Sequence, residues 1–196
     1  MGETEFFGIT LKVDRRALIP RPETEYLLAL ITEKLTAPPT DILDLGTGTG
    51  AIALGLATHY PSSHVKALDL SADAAALAAE NVAATGLAER VTVLVSDWFA
   101  VIDPAERFDL IVANPPYLSV EETEVAAPEV RDHEPKMALT PGDDGFGALA
   151  QIVSRARAFL RPGGMLAMET GIAQHEQLAR RLAAGGYQQI ELLADL

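Results

Sequence analysis

The run Asn114-Pro115-Pro116-Tyr117 sets an amide side chain, two prolines and a phenol directly after the apolar residues Leu110 to Ala113. A proline has no amide hydrogen and fixes φ near about −65°, and the residue before it is pushed out of the helical region. An uncharged, partly β-branched run that stops this way reads as a short strand buried on both faces of a parallel sheet. Its backbone leaves the sheet in one stiff extended turn. The Asn114 side chain and the carbonyls of Asn114 and Pro115 are then held still at the carboxyl edge of the sheet, where open α/β folds bind ligands. A strand cap with a rigid loop is the plainer reading, and a costly way to make a turn.

A second constellation lies upstream in Asp44 to Ala51, DLGTGTGA. Gly46, Gly48 and Gly50 let a ligand approach the backbone closely, with Thr47 and Thr49 between them. Read as G-x-G-x-x-A, the loop fits a dinucleotide fingerprint, and Asp69 follows 19 positions after Gly50. A carboxylate there can accept both hydroxyls of a ribose, so a nucleoside site is favoured over a structural turn. Asp97-Trp98 adds an acceptor for an adenine amino group and an aromatic to pack beside the ring, although a lone tryptophan is more often core.

The elements that position these residues alternate. Strands are expected at Asp41 to Leu45, Val65 to Leu70, Val91 to Val95, Phe108 to Ala113, Met165 to Glu169 and Tyr187 to Leu193. Helices are expected at Glu23 to Leu35, Ala51 to His59, Ala72 to Thr85, Ala148 to Leu160 and Ala173 to Ala184, stopped by prolines or glycines. The alternation implies right-handed βαβ crossovers and an α/β fold with a doubly wound, mostly parallel sheet. Ahead of it, Glu5 to Val13 reads as a hairpin or extended arm, and Ile19 to Glu25, IPRPETE, as a proline-bracketed lead into a helix. Residues 1–22 thus form an arm and covering loop, and 23–196 the main domain. Ser119 to Gly147 is long for a connection inside a compact domain.

Composition narrows the function classes. The 196 residues carry a formal charge of −13, 48% hydrophobic residues and no cysteine. One globular domain is expected, without disulfides or thiolate metal sites and with no metal site of any kind. No apolar run is long enough to span a bilayer and no secretory signal opens the chain, so a cytoplasmic protein with no membrane partner is expected. The acidic balance repels phosphate backbones, which argues against direct nucleic-acid binding. His59, His64, His133 and His175 are each read as structural.

Taken together, the glycine loop, ribose acid and NPPY run resemble the class I S-adenosylmethionine-dependent methyltransferases, in the branch that methylates amino and amide nitrogens. EFFGITLKV, LIPRPETE, DLGTGTGAIAL, the DW pair, IVANPPYL, VRDHEPKMAL and GDDGF are similar, across nearly the whole chain, to the HemK-like protein-(glutamine-N5) methyltransferases that modify peptide-chain release factors. The resemblance implies S-adenosylmethionine bound by Gly46, Thr47, Gly48, Thr49, Gly50, Asp69, Asp97, Trp98 and Asn114. It implies a release factor as partner, with the glutamine of its Gly-Gly-Gln tip gripped by Asn114, Pro115, Pro116 and Tyr117. Among these, Asn114, Pro115 and Tyr117 are expected to be catalytic. It also puts the Ile19 to Thr24 loop over the methionine end of the cofactor and Arg131 to Pro135 near the substrate channel.

The chemistry of the residues agrees. An amide nitrogen is a poor nucleophile because its lone pair is delocalised into the carbonyl. A site must accept its N–H bonds and turn the nitrogen toward the methyl group; the Asn114 oxygen and Pro115 carbonyl can do that, while Tyr117 offers a flat face. Positioning and matched dipoles, rather than a strong base, lower such a barrier.

Gly145 to Ala150 depart from the family's usual aromatic-plus-basic opening of that helix. The helical N-terminal domain common in the family and its final antiparallel strand are not found, so weak turnover of an intact release factor is expected. A monomer is expected, with oligomeric state otherwise open. Alternatives are glutamine methylation of a ribosomal protein, adenine-N6 methylation of DNA or RNA, an NAD-dependent dehydrogenase, which leaves NPPY unexplained, and a cofactor-binding module without turnover.

Overall fold

The computed structural model describes residues 2–117 and 145–194. Its centre is a five-stranded parallel sheet of β3 (Asp41–Leu45), β4 (His64–Asp69), β5 (Val91–Val95), β6 (Phe108–Ala113) and β7 (Leu160–Met168), in the order β5-β4-β3-β6-β7. The helices are α1 (Pro22–Lys34), α2 (Ala51–His59), α3 (Ala72–Thr85), α4 (Gly147–Phe159) and α5 (His175–Ala184), the last preceded by a 3₁₀ turn at Ile172–Gln174.

Period-two alternation along the strands divides the core in two. Ile42, Val65, Ala67, Leu110 and Val112 face α1 and α2 on one side of the sheet. Leu43, Leu45, Leu68, Ile111 and Ala113 face Ile152, Ala156 and Phe159 of α4 on the other. Both faces are covered, so the inner stretches Ile42–Leu43, Ala67–Leu68 and Leu110–Ala113 are continuous apolar runs, as a doubly wound sheet requires. Burying each large aliphatic side chain contributes about 1.5–3 kcal/mol.

Local signals set the boundaries. Pro22 opens α1 with Glu23 and Glu25 in its first turn. The Ser71 hydroxyl accepts the Ala74 N–H to start α3, and Gly86, at φ 72°, ends it. The expected N-terminal hairpin is present as β1 (Gly2–Phe6) and β2 (Ile9–Val13), with Phe7 and Gly8 both at positive φ in its two-residue turn. Asn81 of α3 fastens this hairpin to the helix and to the glycine loop after β3: its Oδ1 accepts the Lys12 N–H, while Nδ2 donates to the carbonyls of Lys12 and Thr49.

Two expectations about the C-terminal third are corrected. Strand β7 begins at Leu160 instead of Met165, because its partner shifts register: Phe108 faces Leu160, then Leu110 faces Met165. Pro162-Gly163-Gly164 is therefore a bulge within the strand. Tyr187 to Leu193 is not a strand. Gln189 adopts φ 53°, which breaks an extended run, and no described strand lies beyond β7 to offer a ladder. The segment is held instead by the Tyr187 hydroxyl on the Val153 carbonyl and by the Lys34–Glu191 ion pair.

Candidate functional site

The carboxyl ends of β3, β4, β5 and β6 open onto a cavity of about 380 Å³, within the size range of small-molecule sites. Gly46, Thr47, Gly48 and Thr49 form its floor. The loop is tied to the neighbouring strand, with the Gly46 and Thr47 N–H groups both donating to the Leu68 carbonyl at 2.8 and 2.9 Å. Gly46 has φ 72°, and a side chain there would enter the gap between the Trp98 ring and the Asn114 carbonyl, each 3.8 Å away. Gly50 is different: it does not line the cavity, and a Cβ on it would sit 3.4 Å from Ala78 Cβ. Its role is close packing of α2 against α3.

Asp69 ends β4 beside this loop. Its Oδ2 accepts the Gly48 N–H at 2.9 Å and its Oδ1 the Ser71 N–H at 2.8 Å. A carboxylate has about four lone-pair sites, so Asp69 retains capacity for a ligand hydroxyl beside its backbone N–H bonds. Burial raises the Asp69 pKa, and the backbone N–H bonds oppose that shift.

Trp98 lines the cavity and is half-buried, with one edge against the α4-side core. It adopts φ 47°, a strained conformation for a bulky residue, and the Ser96 hydroxyl bonded to its carbonyl at 2.9 Å helps hold that turn. Asp97 is exposed at the rim and is not part of the lining, where Ser96 stands instead.

Beyond β6 the chain behaves as the prolines dictate. Asn114 and Pro116 line the first cavity, Pro115 is buried behind them, and Tyr117 lines a second cavity of about 440 Å³ along the outer edge of β7. The NPPY run thus forms the wall between two cavities.

That wall contains a hydrogen-bonded cluster. Asn114 Nδ2 donates to Glu169 Oε2 at 2.8 Å and to the Thr24 hydroxyl at 3.0 Å. The Thr24 hydroxyl donates to the same Oε2 at 2.7 Å, and the Tyr117 hydroxyl donates to Oε1 at 3.0 Å. Burial raises the Glu169 pKa, against the opposing effect of these donors. Asn114 Oδ1 accepts no hydrogen bond from any described residue. The Tyr117 carbonyl is fixed by Gln174 Nε2 at 2.8 Å, which also donates to the Gly145 carbonyl.

Glu169 was not singled out by sequence, although a signal existed. It follows an apolar strand at the carboxyl edge of the sheet, as Asp69 does. Thr24, expected in a covering loop, sits in the first turn of α1, and Ala17, Leu18, Pro20 and Thr24 line the first cavity. Asp44 is a further surprise inside β3: it is fully buried, its Oδ2 accepts the Thr47 hydroxyl at 2.6 Å, and its Oδ1 has no partner. Burial pushes its pKa up to about 7, opposed by the Thr47 bond and the Ala53 amide.

The histidines stay out of the cluster. His59 closes α2 against the Phe7 and Tyr60 rings, His64 opens β4, and His175 starts α5 on the wall of the second cavity. His133, Arg131 to Pro135 and most of the long loop lie outside the described residues. Among the described residues there is no cluster of potential metal ligands, and no helix is long and apolar enough to cross a membrane.

Residues 23–142 match the family model of the methyltransferase small domain. The chain is 47% identical, over its whole length, to a release factor glutamine methyltransferase of Cereibacter sphaeroides, covering 69% of that protein. The chain belongs to the release factor glutamine methyltransferase family. A family member from Deinococcus radiodurans is 44% identical over 95% of the chain and 66% of its own length. The chain therefore spans about two thirds of the length of these relatives. Among solved structures, a 16S rRNA methyltransferase from T. thermophilus in complex with AdoMet and guanosine superposes with TM-score 0.67 at 23% identity, over 95% of this chain and 45% of that one. That likeness places the fold of this family member with the class I S-adenosylmethionine-dependent methyltransferases.

Proposed function

We propose that this protein transfers a methyl group from S-adenosylmethionine to the side-chain amide nitrogen of the glutamine in the Gly-Gly-Gln motif of a peptide-chain release factor. The observation that carries this reading is the place of Asn114 to Tyr117: a rigid wall between two cavities, with the Asn114 Oδ1 and Pro115 carbonyl accepting no hydrogen bond from any described residue.

The first cavity suits the methyl donor. Its glycine floor leaves room for a ligand against the backbone, Asp69 has lone pairs to spare for a ribose, and Trp98 offers a ring face with Asp97 at the rim. Ala17 to Thr24 would border the methionine end. When bound there, S-adenosylmethionine supplies a methyl group on a sulfonium whose departure as a neutral thioether makes transfer favourable.

The chain's own residues would do the rest by orientation. Asn114 Oδ1 and the Pro115 carbonyl would accept the two N–H bonds of the substrate amide, turning the nitrogen toward the first cavity. Tyr117 and Pro116 would bracket the amide plane. Dipoles already fixed by the prolines need no reorganisation as positive charge develops on the nitrogen. The proton lost from that nitrogen passes to solvent, and no histidine is required.

The test is incubation of the chain with radiolabelled S-adenosylmethionine and a release factor, beside a release factor whose tip glutamine is changed to alanine. Label in the first and none in the second is expected. Label surviving in the alanine variant overturns the substrate assignment, and label on a ribosomal protein or on DNA in its place would select another acceptor.

A further inference from the structure

We propose that Glu169 is a positioning residue of the methyl-transfer site, whose carboxylate fixes the Asn114 amide with Oδ1 turned toward the substrate and ties both ends of the NPPY run together. The inference rests on the amide-methylation reading and deepens it.

A side-chain amide has two orientations related by a half-turn, which exchange a donor for an acceptor. For a substrate NH₂ only one is useful: with Nδ2 outward, donors would face donors. The choice between them is made by what lies behind the amide. An ionised carboxylate can only accept, and Glu169 Oε2 lies 2.8 Å from Asn114 Nδ2. The Thr24 hydroxyl completes the selection, donating to Oε2 and accepting from Nδ2, so reversing Asn114 would set its oxygen against two acceptors. The other carboxylate oxygen accepts the Tyr117 hydroxyl. One side chain thereby restrains the first and last residues of the four.

Why these groups meet follows from strand register. Ala113 pairs with Met168 across β6 and β7, and the Glu169 N–H donates to the Ala113 carbonyl at 3.0 Å. Asn114 and Glu169 are the next residues along, and the alternation of the strands turns both toward the face covered by α1. Thr24 sits in the first turn of that helix, 4% exposed. The bonds from Asn114 and Thr24, at 2.8 and 2.7 Å, are in the range of charge-assisted bonds to a carboxylate, which suits a group meant to hold rather than react.

The test uses Glu169→Ala, Glu169→Gln, Asn114→Asp and the double variant Asn114→Asp/Glu169→Gln in the full chain. Each is compared for S-adenosylmethionine affinity, thermal melting, and kcat and KM with a release factor. Glu169→Ala is expected to lower kcat about 30- to 100-fold with cofactor affinity kept within about twofold. Asn114→Asp alone sets two carboxylates side by side and should be as poor. Adding Glu169→Gln should restore kcat at least about tenfold, because the new amide can donate to the new carboxylate and leave its other oxygen free to accept. A double variant no faster than Asn114→Asp would overturn the proposal.

An arm without substrate separates this inference from the reading beneath it. The Asn114 side-chain amide protons, followed by ¹⁵N-resolved NMR, should exchange slowly in the unaltered protein and rapidly in Glu169→Gln and Glu169→Ala. Unchanged exchange in both overturns the positioning role. An unaltered protein that transfers no methyl group to any release factor overturns the amide-methylation reading, while the exchange result still decides Glu169.

Discussion

Asn114 and Glu169 stand side by side at the carboxyl ends of β6 and β7, with Nδ2 2.8 Å from Oε2. Because the donor end of the Asn114 amide is engaged by Glu169 and Thr24, the proposed substrate contact falls to its acceptor end. Asn114→Ala removes that acceptor without touching the glycine floor. It is expected to lower kcat by about 10²–10³-fold, the range found when one preorganised polar group is deleted from a reacting centre. Cofactor affinity by calorimetry should fall far less than kcat, since Asn114 is one of many residues lining the first cavity.

Asp69 separates from Asn114 by the opposite pattern. Its carboxylate holds the Gly48 and Ser71 amides and retains lone pairs for a ribose, so Asp69→Ala should weaken S-adenosylmethionine binding by about 30- to 100-fold. Titration calorimetry would measure this directly. Saturating cofactor should recover a large part of kcat, whereas it cannot rescue Asn114→Ala.

Gly145 bears on Tyr117 from outside the sheet. It has φ 68°, and a Cβ there would lie 2.2 Å from the Tyr117 carbonyl oxygen, a backbone atom that Gln174 also grips. Gly145→Ala should therefore cost about 2 kcal/mol or more, a fall in melting temperature of about 4–8 °C. With Tyr117 displaced, KM for the protein substrate should rise while cofactor affinity is kept.

Two groups of carboxylates predict opposite limbs of a stability profile. The Asp44 pKa is raised to about 7 by burial, so the folded state holds its proton more tightly than the unfolded chain. Stability from this group is present below pH 3.8, declines as pH rises to about 7, and is flat above. Asp14 and Glu80, bonded to Arg16, are lowered to about 2, so their contribution is present above their ordinary values and lost as pH falls toward 2. Denaturant unfolding from pH 2 to 9 should show both limbs, and Asp44→Asn should flatten the one between pH 4 and 7.

The chain order of strands and helices, the parallel sheet and the glycine floor are written in local sequence. Apolar runs such as Leu110 to Ala113, capping residues such as Ser71 and Gly86, and paired prolines act over a few residues, so they can be read without knowing what lies nearby. The same holds for the place of Asp69, Trp98 and Asn114, because strand ends in such a sheet share one edge. Tyr187 to Leu193 marks the limit: its composition suits a strand, but a strand exists only where a neighbour completes its ladder, and Gln189 turns away.

Sequence alone thus determined the fold, the glycine loop and the NPPY run at the sheet edge, since each is encoded in contiguous residues with fixed backbone preferences. Only the tertiary structure decided how Asn114 is turned. That depends on Glu169, 55 residues away in sequence, and on Thr24, 90 away, and such partners are set by strand register and helix packing. Only the fold could also bury Asp44 with an oxygen unpartnered and place Gly145 against the Tyr117 carbonyl, because burial and contact are properties of the assembled layers and not of any one stretch of chain.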